Sequence, residues 1–119
     1  MRSIIAMVLG ALGLACTDPT GIACTAEARP GLSVSVRDMV TGGTVAGGRV
    51  IARDGEYADT ASDAFLGLVY SLAWERAGTY EVTVEQDAYV TWRQVGVQVT
   101  KDKCHVQTVS LEARLVPKE

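Results

Sequence analysis

The sequence predicts an all-β fold, a seven-stranded antiparallel β-sandwich that follows an N-terminal signal helix. Three observations lead to this prediction. Short segments alternate apolar and polar residues, turn residues separate these segments, and no convincing helical pattern follows residue 15. Strand side chains point alternately to the two faces of a sheet, so alternation indicates strands with one face on a core. Short strands separated by turns at regular intervals are typical of antiparallel sandwiches.

The clearest strand covers residues 78–86. One face carries the residues that we expect in the core: Tyr80, Val82 and Val84. The other face carries the residues that we expect in water, among them Glu81, Thr83 and Glu85. This alternation predicts a half-buried strand.

Length and charge limit the possible functions. The 119 residues fit one domain, since single domains most often have roughly 100–150 residues. An apolar fraction of 48% is enough for a core. The net charge is -3, and removal of Arg2 with a signal peptide makes it -4. Nucleic-acid binding requires a clustered basic surface, and the sequence has no run of Lys or Arg, so we expect no nucleic-acid partner.

Residues 1–15 have the pattern of a secretory signal peptide. Arg2 provides a positive start, and residues 4–15 are all apolar or Gly. A membrane-spanning helix needs roughly 20 such residues, so this run is too short to be one. A charged start before a short apolar run is typical of signal peptides, and a buried N-terminal helix is the alternative.

Residues 12–16, Leu-Gly-Leu-Ala-Cys, resemble the lipobox of bacterial lipoproteins, with Gly13 where that motif usually has Leu. The resemblance implies cleavage after Ala15 and acylation of Cys16 with diacylglycerol and N-acyl chains such as palmitate. Several chains give stable anchoring. By the same resemblance, Thr17 after the cysteine implies the outer membrane of a bacterial cell envelope. Plain secretion, or a periplasmic location, is the alternative. Residues 16–21 would then be the lipidated cysteine and its tether, and residues 22–116 the sandwich domain.

The cysteine count agrees with a lipid anchor. An exported chain with three cysteines leaves one thiol unexplained, and acylation of Cys16 leaves Cys24 and Cys104 to form a disulfide. A zinc site is the rival interpretation. Two distant cysteines and one histidine fall short of the four ligands of a structural zinc site, so we expect no metal and no cofactor.

Several further strands are expected before residue 78. Residues 22–26 are expected to form a short edge strand that carries Cys24 inward, followed by a turn at Pro30-Gly31. The next strand has its apolar side chains on one face: Leu32, Val34 and Val36. After a glycine-containing loop at residues 38–44, strands are expected at residues 49–53 and 57–61, joined by a turn at Asp54-Gly55.

The later strands contain the large aromatic residues. After a loop at residues 62–67, a strand is expected whose alternate residues face inward: Leu68, Tyr70, Leu72 and Trp74. A helix is the alternative for this segment, because its apolar run is nearly continuous. In the strand after residue 88, a second set is expected inward: Tyr89, Val95, Val97 and Val99. Trp92 is expected to be partly exposed. The final strand is expected at residues 104–115, with Val109 and Leu111 inward, so that the disulfide joins the first strand to the last.

The loop Asp38-Met39-Val40-Thr41-Gly42, residues 50–55 (Val-Ile-Ala-Arg-Asp-Gly), Gly78-Thr79-Tyr80 and Tyr89 resemble the carboxypeptidase regulatory-like family. Thr44 and Ala88 stand where that family often has Pro and Gly. The resemblance covers roughly residues 32–115. It implies a transthyretin-like (prealbumin-like) sandwich that acts as an accessory module. The pattern is also similar to that of small bacterial envelope lipoproteins.

No catalytic residues are predicted. His105 is the only histidine, and we expect it at the surface or at a sheet edge, pointing away from Cys104 because adjacent strand residues face opposite sides. The transthyretin-like hydrolases use several histidines and a C-terminal Tyr-Arg-Gly-Ser motif, which this chain lacks. Four carboxylates within ten residues raise the alternative of a calcium loop: Asp54, Glu56, Asp59 and Asp63.

We therefore expect a non-enzymatic envelope lipoprotein that serves as a binding or structural module. Its unpaired sheet edges are able to add a strand from a partner. The expected partners are the membrane that holds the anchor and an envelope protein or glycan. The alternatives are a calcium-dependent carbohydrate-binding module and an envelope hydrolase. An aromatic platform for sugar would need exposed rings, and parity leaves only Trp92 exposed.

Overall fold

A computed structural model describes residues 23–119 of the chain. The predicted signal peptide, Cys16 and the tether lie outside the described residues. The described part forms seven strands and no helix: β1 (Pro30–Asp38), β2 (Arg49–Asp54), β3 (Tyr57–Ala61), β4 (Tyr70–Trp74), β5 (Gly78–Glu85), β6 (Trp92–Val99) and β7 (Val109–Leu115). The predicted all-β class and the seven-stranded sandwich are confirmed.

The strands form two sheets, one of three strands in the order β4-β1-β7 and one of four in the order β3-β2-β5-β6. All neighbouring strands are antiparallel except β1 and β7. This parallel pair joins residues from Leu32↔Val109 to Asp38↔Leu115. A parallel pair needs a long connection, which the strands from β2 to β6 provide.

The core lies between the two sheets. From β1 and β5 the alternating residues expected inward are completely or almost completely buried: Leu32, Val34, Val36, Tyr80, Val82 and Val84. On β2, Val50 and Ala52 are completely buried as well. The outer face of β5 differs at one position, because Thr83 is only 8% exposed. It sits on a central strand in register with Ile51 and Arg93, and these neighbours flank it on both sides.

Strand β4 contains the largest departure from the predicted pattern. Tyr70 and Leu72 are buried as expected, but Leu68 and Trp74 are each 51% exposed. Ala73 has a φ of 57°, in the left-handed region, so the alternation breaks there and Ala73 itself is buried. The prediction that Trp74 lies in the core is therefore wrong. Leu68 precedes the strand, in the turn closed by the Phe65↔Val69 bridge.

Strand β6 also departs from simple alternation. Tyr80 pairs with Val97 and Val82 with Gln94, so β6 contains one more residue than β5 across this interval. This bulge includes Gly96, whose φ is 69°, and it turns Val95 outward to 69% exposure. The expectation that Val95 faces inward is wrong, whereas Val97 and Val99 are buried as expected. Trp92 and Tyr89 are partly buried against the core.

The two ends of the domain differ from the sequence prediction. Within the described residues 23–29 there is no strand, and Pro30-Gly31 belongs to β1 instead of a turn. A Cβ on Gly31 would lie 2.7 Å from the Ala73 carbonyl oxygen, so this close approach between β1 and β4 requires glycine. The last strand begins at Val109, and its fully buried side chains are those of Ala113 and Leu115.

Candidate functional site

The disulfide between Cys24 and Cys104 is present, with the two α-carbons 5.3 Å apart. The sequence prediction of this pair is confirmed. Both cysteines lie in loops, however, and the predicted placement on the first and last strands is wrong. The cysteines are 80 residues apart, and closing such a loop restricts the unfolded chain by roughly 4–4.5 kcal/mol. The bond fixes the segment before β1 to the loop before β7.

His105, next to Cys104, is buried at 8% exposure in the loop between β6 and β7, so the prediction of a histidine at the surface or at a sheet edge is wrong. Its Nδ1 lies 2.8 Å from Oε2 of Glu75, and its Nε2 lies 2.9 Å from Oγ1 of Thr25. A carboxylate only accepts hydrogen bonds, so Nδ1 carries the proton and donates to Glu75. In the neutral ring, Nε2 then accepts from the Thr25 hydroxyl. The buried imidazole is thus satisfied on both sides.

Two acidic residues hold this cluster in place. The hydrogen bond from His105, with one from the backbone N–H of Arg29 at 2.8 Å, lowers the pKa of Glu75. Asp102 accepts 2.8 Å hydrogen bonds from the backbone N–H groups of His105 and Cys104, which lower its pKa. Both carboxylates are therefore held in the charged form that accepts these hydrogen bonds.

The four carboxylates of residues 54–63 do not come together as a calcium site. Asp54 forms an ion pair with Arg76 at 3.1 Å, and Asp59 accepts a 2.9 Å hydrogen bond from the backbone N–H of Ala73. Across residues 23–119, no three His, Cys, Asp or Glu side chains are grouped as metal ligands. His105 lies with Glu75 and not with this loop.

An open apolar groove lies beside β4, with a volume of about 670 Å³. We use the name apolar groove for the surface formed by Pro30, Ala64, Phe65, Val69, Ser71 and Trp74, with Asp63 at its rim. β4 is an edge strand, since β1 pairs with it on one side and no strand of the described chain pairs on the other. The groove therefore lies next to an open sheet edge.

The groove presents large apolar side chains to solvent. Phe65 is 71% exposed and Trp74 is 51% exposed, and the adjoining turn exposes Leu66 and Leu68 at 77% and 51%. Contiguous exposed apolar surface on a soluble domain usually marks a contact site for a protein, a membrane or a ligand. A ring such as that of Trp74 offers a flat apolar face with one polar N–H, which suits such contacts.

The sequence prediction missed this site. It assigned Phe65 and Leu66 to a loop and Trp74 to the core. The available signal was composition: the segment Phe65-Leu66-Gly67-Leu68 has three large apolar residues where turns usually have polar ones. The exposure of Trp74 depends on the positive φ of Ala73, which no pattern in the sequence announces.

Comparisons with protein-family models and with curated protein sequences find no match for this chain. Residues 23–119 contain no helix long and apolar enough to cross a membrane.

Proposed function

We propose that this chain is a non-enzymatic, lipid-anchored protein of a bacterial cell envelope, and that it acts as a binding or structural accessory module through its apolar groove. The proposal places Cys16 in the membrane as an acylated residue, with the outer membrane as its location. We also propose that the domain is a carboxypeptidase regulatory-like sandwich, because its Asp38 loop and its Gly78-Thr79-Tyr80 strand resemble that family.

The observation that carries the proposal is the exposure of Phe65 and Trp74 beside an open sheet edge. Exposed aromatic side chains in a concave surface bury large apolar areas when a partner docks. The predicted export signal and the disulfide support an envelope location, because disulfides persist in oxidising compartments. An anchored domain with one such surface is suited to contact a neighbour in the same envelope.

Site-specific photocrosslinking tests this proposal. A photoreactive amino acid replaces Phe65 or Trp74 in the anchored protein in cells, and it replaces Glu112 on β7 as the control. Glu112 is exposed on the other edge strand of the same sheet. We expect adducts of defined mass at positions 65 and 74 and none at 112. Equal labelling at all three positions would remove the apolar groove as the contact surface.

A hydrolase is the second candidate, favoured by one specific observation. Thr25, His105 and Glu75 are connected in the order hydroxyl, imidazole, carboxylate, as in enzymes that activate a nucleophile through a general base. The test is hydrolysis of an activated aryl ester by the wild-type chain and by the Thr25→Val and His105→Gln variants. Ester cleavage that both substitutions abolish would establish the enzyme, and equal background rates would remove it.

A further inference from the structure

We propose that the apolar groove and the adjoining Leu66 and Leu68 rest on the interface of the lipid bilayer in which Cys16 is anchored. This inference depends on the anchored state proposed above and identifies the partner of the apolar groove as phospholipid.

The chain from the anchor enters the domain at one fixed place. Residue 24 is held by its disulfide to Cys104, and Thr25 is hydrogen-bonded to the buried ring of His105. Cys24 and Thr25 are thus both attached to the loop before β7, through its neighbouring residues Cys104 and His105. The anchored segment cannot swing away from this end of the sandwich while these bonds hold.

Trp74 lies at the same end. The backbone N–H of Glu75 donates to the Arg29 carbonyl at 2.9 Å, and the backbone N–H of Arg29 donates to the Glu75 carboxylate at 2.8 Å. Pro30 pairs with Trp74 across β1 and β4, and both side chains line the apolar groove. The anchored segment therefore runs directly past Trp74 on its way into β1.

The tether keeps this end close to the membrane. Eight residue steps separate Cys16 from Cys24. A fully extended chain spans at most about 3.3–3.6 Å per residue, so the disulfide lies within roughly 30 Å of the anchored cysteine. The opposite end of the sandwich is further away by about the length of β1, nine residues at roughly 3.3 Å each. The end that bears Trp74 is thus the one that the tether holds near the bilayer.

The exposed side chains suit a bilayer interface. Tryptophan concentrates at the level of the lipid headgroups, where its apolar ring and its polar N–H are both accommodated. Phe65, Leu66 and Leu68 lie further along the domain, before Tyr70, which pairs with Val34. They add apolar area that acyl chains can cover when the length of β4 lies along the bilayer. Lys101 and Lys103 are exposed in the loop that carries Cys104, on either side of the charged Asp102, and anionic headgroups attract them. Asp63 is the one charged side chain among the groove residues.

A bilayer is favoured over a protein strand because the anchor already concentrates lipid at the Trp74 end of the apolar groove. A tethered surface meets its target at a high effective concentration, so modest apolar contacts suffice for docking. A partner's strand would instead have only the five residues of β4 to pair with.

The test uses the mature chain, residues 16–119, with its disulfide oxidised and Cys16 as the free thiol. Cys16 is coupled to a maleimide lipid in phosphatidylcholine vesicles, so the anchoring does not depend on acylation in a cell. The substitution Trp92→Phe leaves Trp74 as the single tryptophan. We expect the fluorescence emission of Trp74 to be about twofold lower on vesicles with brominated acyl chains, which quench tryptophan, than on vesicles without bromine. Such a fall is expected for a ring at the level of the headgroups.

Two matched variants control this measurement. Cys16→Ser with Glu119→Cys anchors the opposite end, where Leu115 pairs with the last residue of β1 and Lys118 bonds to Ala88. Trp74 should then be unquenched. Phe65→Ser with Leu66→Ser keeps the Cys16 anchor and removes exposed apolar area, and it should restore most of the emission.

Equal quenching with either anchor, or none with both, would overturn membrane docking of the apolar groove. A protein adduct at position 74 in cells, together with an unquenched Trp74 on vesicles, would keep the proposed binding module and reject lipid as its partner. Failure of acylation in cells is a separate result, because mass spectrometry of the mature N-terminus detects it.

Discussion

The phenol hydroxyl of Tyr89 donates a 2.7 Å hydrogen bond to Oδ2 of Asp38. The other oxygen of Asp38 accepts hydrogen bonds from the backbone N–H groups of Val40 and Thr41, at 2.7 and 2.9 Å. Asp38 and Tyr89 are two of the residues through which the sequence resembles carboxypeptidase regulatory-like domains. Their contact ties the loop after β1 to the loop before β6, at the end of the sandwich opposite the disulfide.

Replacement of Tyr89 by Phe tests this tie. The variant loses the hydrogen bond to a charged carboxylate but keeps the ring against the core, so the midpoint of thermal unfolding should fall. Tyr57→Phe is the control, because no hydrogen bond of the Tyr57 hydroxyl is present among the described residues. Circular dichroism during heating measures both midpoints. A Tyr89→Phe midpoint no lower than that of the control would show that the hydroxyl contributes nothing.

Acid should weaken the fold through three carboxylates. The pKa of Asp38 is lowered by hydrogen bonds from the Thr41 backbone and the Tyr89 hydroxyl, and the pKa values of Glu75 and Asp102 are lowered as well. A carboxylate with a lowered pKa stabilises the folded chain fully above its unfolded pKa. That stabilisation is lost as the pH falls through the folded pKa. Stability should therefore be level near neutral pH and decrease below the ordinary values of 3.8 for Asp and 4.5 for Glu.

The Glu75→Gln variant separates one part of this acid effect. It removes a titrating group whose charged form accepts from His105, so the variant should be less stable than the wild type near neutral pH. The difference should narrow as the pH falls below 4.5, the ordinary pKa of Glu, because protonation of the wild-type carboxylate removes this stabilisation. Urea unfolding near neutral pH and at acid pH measures this difference. A gap that stays constant with pH would mean that the charge on Glu75 does not stabilise the cluster.

Alternation in the sequence was sufficient to predict which side chains are buried where a strand crosses the sandwich without interruption. Leu32, Val34 and Val36 on β1 and Tyr80 on β5 are buried as predicted, because period two fixes the face of each side chain. The pattern failed where one residue interrupts the period. The positive φ of Ala73 turns the side chain of Trp74 from the core toward solvent. The bulge that contains Gly96 does the same to Val95.

The environment of His105 could not be predicted from the chain alone. Its partners, Thr25 and Glu75, are 80 and 30 residues away in sequence, and neither separation carries a recognisable motif. The cysteine count, by contrast, identified a pair equally distant in sequence, because with Cys16 assigned to acylation only one pairing remains. Long-range contacts were thus predictable where the chemistry admits few partners, and unpredictable where many side chains could serve.

Removal of the disulfide should cost a large part of the stability. Cys24→Ala with Cys104→Ala frees the unfolded chain from an 80-residue loop, and we expect a loss of roughly 4 kcal/mol in the free energy of unfolding. Cys16→Ser is the control and should leave that free energy unchanged. Urea unfolding of the soluble mature chain measures both. A loss below about 1 kcal/mol would show that the bond does not restrict the unfolded ensemble as this model requires.

Leu72 and Trp74 form a matched pair on one strand, and they should respond oppositely to truncation. Leu72 is completely buried, so Leu72→Ala removes core contacts and should lower the free energy of unfolding by about 2–5 kcal/mol. Trp74 is half exposed in the apolar groove, so Trp74→Ala should cost less than about 1 kcal/mol. Urea unfolding of the soluble mature variants measures both. A large loss for Trp74→Ala would return that ring to the core, and the groove could then no longer serve as a contact surface.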